Sequence, residues 1–177
     1  WGAYFGGGMQ SVLFQEVREF RALAYSAHGY RLTPDLLTSG ALPCGYVAQT
    51  GTQADKTMTT TLLLDSLLSA MPLRDAQVGA ASHAIVNGIN NSFPTMRQIG
   101  TEVAALRLHG YAHDPEDDVL KALAPLTASD LMRFYRENIQ ARPRAFFIVG
   151  NKKTLDMKRL GKLGKIVELK KEDIFRE

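Results

Sequence analysis

Three consecutive glycines, Gly6, Gly7 and Gly8, stand directly before an apolar stripe, and the stripe runs without a loop into alternating sequence. Met9, Leu13, Val17 and Phe20, with Val12 beside them, recur at helical spacing and predict a helix whose one side faces a core. The segment Ala24–Leu32 that follows alternates small and aromatic or polar residues and reads as a half-exposed strand. A helix joined so tightly to a strand fixes their relative position. Arg18 lies off the apolar stripe and Tyr25 comes seven residues later, so a guanidinium and a phenol, both hydrogen-bond donors, are expected to converge at the junction. Spacing alone equally fits a surface salt bridge between Arg18 and a nearby Glu, with Tyr25 a half-buried strand tyrosine.

The rest of the chain is punctuated clearly. Thr33, Pro34 and Asp35, then Ser39 and Gly40, mark a loop, and a second strand opens at residues 43–45 and runs to about Thr52. Two neighbouring strands of this length suggest an antiparallel pair. Helical spacing returns over residues 55–71, with Leu64, Leu67, Leu68 and Met71 on one face and Pro72 as the stop. An Ala-rich helix over 74–91 and another over about 96–109 are expected to pack on each other. Asp114 and Pro115 followed by Glu116, Asp117 and Asp118 make a strong helix start, since acids suit the positive end of the helix dipole. Thr127 and Asp130 open the next helix as a capping box, with Leu131, Phe134, Tyr135 and Ile139 along it. The continuous apolar run 145–149 reads as a strand buried on both faces. A short helix near 154–160 and a strand over 165–169 complete four strands and about seven helices. This mixed order predicts one α+β domain over residues 1–177, a mainly antiparallel sheet with helices packed on one face.

At 177 residues and 45% hydrophobic content the chain can build a core, which excludes disordered and fibrous classes. Eight basic residues against two acidic ones fall between Lys152 and Lys171, but they alternate with Leu155, Leu160, Leu163, Ile166 and Val167 and read as a solvated surface. Nucleic acid is therefore not an expected partner. Cys44 is the single cysteine, so neither an internal disulfide nor a cysteine metal site can form. No run approaches the roughly 18 apolar residues of a spanning helix, so no transmembrane segment is expected. The compartment stays open, periplasm or cytoplasm for a bacterial chain.

Several constellations invite chemistry without completing it. The glycine run lacks the Lys-Ser/Thr of a phosphate loop and the G-x-G-x-x-G spacing. His109 and His113 could share a zinc, but Ala112 stands where the frame H-x-x-E-H needs its general-base Glu. Ser82 with His83, and Ser26 with His28, pair a nucleophile and a base with no acid beside them. Composition and spacing alone thus give a soluble α+β domain with no complete catalytic set.

The run GGGMQSVLFQEVREFRALAYSA strongly resembles the second half of the pitrilysin/insulinase-type zinc metallopeptidases, the inverzincins, which include the mitochondrial processing peptidase. Weaker matches continue at residues 46–51, 126–130, 147–150 and 165–169. The resemblance implies a metallopeptidase half-domain of the mitochondrial processing peptidase type, one of two halves that close around an extended peptide. In such enzymes the first half holds zinc through H-x-x-E-H, and the second lends an Arg and a Tyr to the substrate backbone beside the scissile bond. Arg18 and Tyr25 match those two residues, which would bind the peptide and stabilise the tetrahedral intermediate. No H-x-x-E-H occurs in this chain. It is therefore expected to be the non-metal, C-terminal part of a longer polypeptide, inactive alone, with zinc in a partner half of the same protein or another subunit. A catalytically inactive scaffold of the same fold is the alternative.

Overall fold

A computed structural model describes residues 1–32 and 45–174. The loop expected over residues 33–40, the opening of the second strand and Cys44 lie outside the described residues. Mixed helix and strand, with a two-stranded antiparallel sheet, place the chain in the α+β class.

The chain enters through a short helix, α1 (Gly2–Gly6), which sequence spacing did not predict. Trp1 stacks on Phe5 with ring centroids 4.8 Å apart, and both rings meet Tyr46 edge-on. The glycines then turn the chain between two helices. Gly6 permits a close approach to β1 and Tyr46: a Cβ there would lie 2.5 Å from the Gly29 backbone nitrogen and 2.6 Å from the Tyr46 hydroxyl. The next helix starts at Ser11, whose side chain accepts a hydrogen bond from the Phe14 N–H (3.4 Å), and widens into a π-helical turn over Phe14–Glu19.

β1 (Ala24–Leu32) pairs antiparallel with β2 (Gly45–Thr52), and a β-bulge falls between Ala24 and Ser26. Ala24 and Ala27 point into the core while Tyr25, Ser26, His28 and Tyr30 are exposed. The helices cover the other face. Val12, Leu13 and Val17 from the first long helix, Phe5 from α1, and Leu67 from α2 (Thr57–Ser69) join Leu131 and Tyr135 in the core. A 3-10 turn, Ala54–Lys56, leads into α2. Leu64, Leu67, Leu68 and Met71 share the buried side as their spacing predicts. Beyond Pro72 comes α3 (Asp75–Asn91), then α4 (Ile99–Leu108), α5 (Pro115–Leu123) and α6 (Ala128–Tyr135), which continues into a second π turn, Arg136–Gln140. Tyr135 locks α6 to the end of α2: its hydroxyl accepts from the Met71 N–H and donates to the Leu68 carbonyl, both at 3.1 Å. Short turns α7 (Met157–Leu160) and α8 (Lys171–Ile174) follow.

The caps read in the sequence form. Asp114 accepts from the Glu116 N–H (2.9 Å) with Pro115 at the first helical position, and Thr127 and Asp130 exchange both bonds of a capping box.

Four expectations are corrected. Met9 and Phe20 are exposed rather than core-facing. The glycine turn delays the helix past Met9, and the π turn inserts extra rotation before Phe20. The helices α3 and α4 do not bury a shared interface, since neither has a buried residue; only Val78 and Ala81 of α3 pack against the core. Residues 145–149 form no strand and are not buried: Phe147 is 87% exposed and Val149 fully so. Residues 165–169 likewise form no ladder. A strand needs a backbone partner as well as an apolar pattern, and neither segment has one among the described residues.

Candidate functional site

Arg18 and Tyr25 come together. The Arg18 guanidinium carbon lies 4.5 Å from the centre of the Tyr25 ring and 4.7 Å from that of Phe14, so the cation lies over both aromatic rings. Stacking occupies the flat faces of a guanidinium and leaves its N–H groups directed outward in its plane. One of them, Nε, sits 3.4 Å from a Glu19 carboxylate oxygen. The surface salt bridge read as an alternative is therefore present beside the aromatic contact. Tyr25 is 82% exposed, not half-buried.

Two local irregularities produce this meeting. Tyr25 is the extra residue at the β-bulge, where register shifts between Ala24 and Ser26. A bulge bends the strand and re-aims one side chain; here it sends Tyr25 outward while Ala24 and Ala27 both stay in the core. On the helix side, the Phe20 N–H reaches back five residues to the Gln15 carbonyl (2.9 Å), the signature of a π turn. The link between them bends sharply at Ala22, whose φ of 48° is left-handed. The Thr52 hydroxyl donates to the Leu23 carbonyl (2.6 Å) and clamps that link to β2.

Beneath the pair lies a charged cluster that spacing arguments passed over. Glu16 is buried, and its carboxylate takes hydrogen bonds from both Arg21 and Arg74. Arg21 also donates to the Glu16 carbonyl (3.0 Å), and Arg74 stacks over the Phe20 ring at 5.3 Å. Burial is the largest influence on Glu16 and pushes its carboxyl upward, but the two guanidiniums together outweigh it and hold it below the ordinary carboxylate value. A signal existed: Glu16 falls four residues after Val12 and three after Leu13, on the core side of the helix. A carboxylate there requires a buried partner.

The other candidates remain separate from this pair's chemistry. Ser26 Oγ lies 3.3 Å from His28 Nδ1 on the exposed face of β1, and His28 stacks on Tyr30 at 6.2 Å. No ion pair among the described residues includes His28, so none of the described acids orients its ring. His83 is exposed on α3. His113 pairs with Asp118 at 2.7 Å and His109 caps α4. Among the described residues no three His, Cys, Asp or Glu side chains gather as a metal ion would need. No described helix is long and apolar enough to cross a membrane.

No family model matches the chain. The chain is similar to an uncharacterized zinc protease of Streptomyces coelicolor, 30% identical over 165 residues that cover 88% of this chain and 33% of the relative. It thus spans about a third of the length of the curated relative it matches.

Proposed function

We propose that this chain is the substrate-binding, non-metal portion of a zinc metallopeptidase of the pitrilysin/insulinase type, the C-terminal half of the pair, with Arg18 and Tyr25 directed at the substrate backbone. The observation that carries the reading is the exposed stack of Arg18 on Tyr25 at 4.5 Å, built by a π turn and a β-bulge. The similarity to a zinc protease supports it. A guanidinium edge and a phenolic hydroxyl held together donate two hydrogen bonds to one carbonyl oxygen, and such donors act most strongly when that oxygen becomes negative. The zinc belongs to a partner half of the same protein or a partner subunit, and the exposed apolar side chains of segments 145–149 and 165–169 offer that partner something to cover.

In the full-length protein, Arg18→Ala and Tyr25→Phe should each lower kcat by about 10²–10³-fold, the cost of one lost oxyanion donor. Zinc content, measured by elemental analysis, should match the wild type. Unchanged turnover in both variants would sink the assignment and leave the scaffold role of the same fold.

A further inference from the structure

Glu16, Arg21 and Arg74 lie outside the pair that faces substrate, yet they hold the turn on which Arg18 is mounted. The Glu16 carboxylate is bound by two guanidiniums from different parts of the chain, Arg21 at the end of the same helix and Arg74 immediately before α3. A buried carboxylate deprived of its cations is costly, so the Glu16 side chain is held where both guanidiniums can reach it. The cluster also answers a local need. A π turn leaves a carbonyl out of the ordinary i→i+4 ladder, and the Glu16 carbonyl here accepts from the Arg21 side chain at 3.0 Å.

The geometry of the turn decides where Arg18 points. A π turn carries one more residue than an α turn, so its collapse would rotate everything after it relative to everything before it. Phe14 lies at the start of the turn, and Tyr25 is fixed to β1 beyond its end. Arg18 can touch both rings only while the extra residue is accommodated.

We infer that Glu16 is a positioning residue: clamped by Arg21 and Arg74, it keeps the Phe14–Glu19 turn in its π form and thereby holds Arg18 against Tyr25. The inference rests on the proposed role of that pair for its functional consequence, but the geometric effect is measurable without any peptidase activity.

The test uses NMR of the 177-residue chain and kinetics of the full-length protein. In the chain, the Arg18 side-chain protons should be shifted upfield by the two rings and show contacts to Tyr25 in nuclear Overhauser spectra. Glu16→Gln should abolish both signatures. Arg21→Lys, which keeps a cation but loses the fork on a half-exposed side chain, should weaken them and guards against a Glu16 variant that fails to fold. In the full-length enzyme, Glu16→Gln should lower kcat on the order of 10- to 100-fold with KM and zinc content unchanged, the effect of a misplaced catalytic group. Unchanged Arg18 signals in a folded Glu16→Gln chain, or in Arg21→Lys if Glu16→Gln does not fold, overturn the inference. Lost signals with undiminished kcat would uphold the positioning role and overturn instead the substrate-facing role of Arg18.

Discussion

At the level of single residues, the junction between the first long helix and β1 carries a measurable cost. Ala22 has a φ of 48°, a conformation that costs a non-glycine residue roughly 1–2 kcal/mol. It persists because both sides are tied down. The Ala22 carbonyl accepts from the Lys56 ammonium (3.4 Å), the Leu23 N–H donates to the Val17 carbonyl (2.9 Å), and Thr52 holds the Leu23 carbonyl. Ala22→Gly relieves the strain while adding backbone freedom to the unfolded chain, which offsets part of the gain. The net expectation is about 0.5–1 kcal/mol of added stability, seen as a Tm rise of roughly 1–4 °C by differential scanning calorimetry. A fall in Tm would mean that the φ value is not strained in solution.

At the level of elements, the π turn and its charged cluster make folding sensitive to acid. Glu16 sits below its ordinary value when folded, so the stabilisation it contributes is present above the unfolded carboxylate range and disappears as pH falls through the folded value. The charged and titratable groups against it are Arg21 and Arg74, with Tyr4 of α1 accepting from the Arg74 N–H at 3.0 Å and Asp75 opening α3. Urea midpoints measured from pH 7 down to pH 3 should therefore decline below about pH 4.5, and Glu16→Gln should flatten that decline. An equal slope in both proteins would locate the acid sensitivity elsewhere. This element also shows where sequence reading reached its limit. The caps at Asp114 and Thr127 were legible because donor and acceptor lie within three residues. Arg18 and Tyr25 were placed together because helix and strand are contiguous. The π turn was not foreseen, since the arginine that stabilises it, Arg74, lies 58 positions from Glu16 and follows a different helix. Phe20 escapes the core for a related reason, as regular 3.6-residue spacing cannot register an inserted residue, whereas Met9 lies in the glycine turn before the helix begins.

At the level of the whole molecule, the core is concentrated around the hairpin, α1, α2 and α6, while much apolar surface lies outside it. The apolar runs at 145–149 and 165–169 have the pattern of strands, but a ladder depends on a partner that sequence periodicity cannot supply. Lys152, just after the first run, pairs with Glu168 in the second at 2.6 Å, and Phe147, Val149, Val167 and Leu169 are all exposed. Exposed apolar side chains grouped along a segment favour association. The 177-residue chain should accordingly self-associate with rising concentration and bind a hydrophobic dye, as followed by light scattering and fluorescence. Phe147→Lys and Val149→Lys should reduce both, and each should change stability by no more than about 0.5 kcal/mol, since neither side chain is packed. In a longer protein that covers these segments, the same substitutions should lower Tm instead, because a lysine would then replace a buried contact. Dye binding that is undiminished in the double variant would show that the exposed surface responsible lies elsewhere, with α4 and its exposed Ile99, Val103 and Leu108 as the next segment to alter.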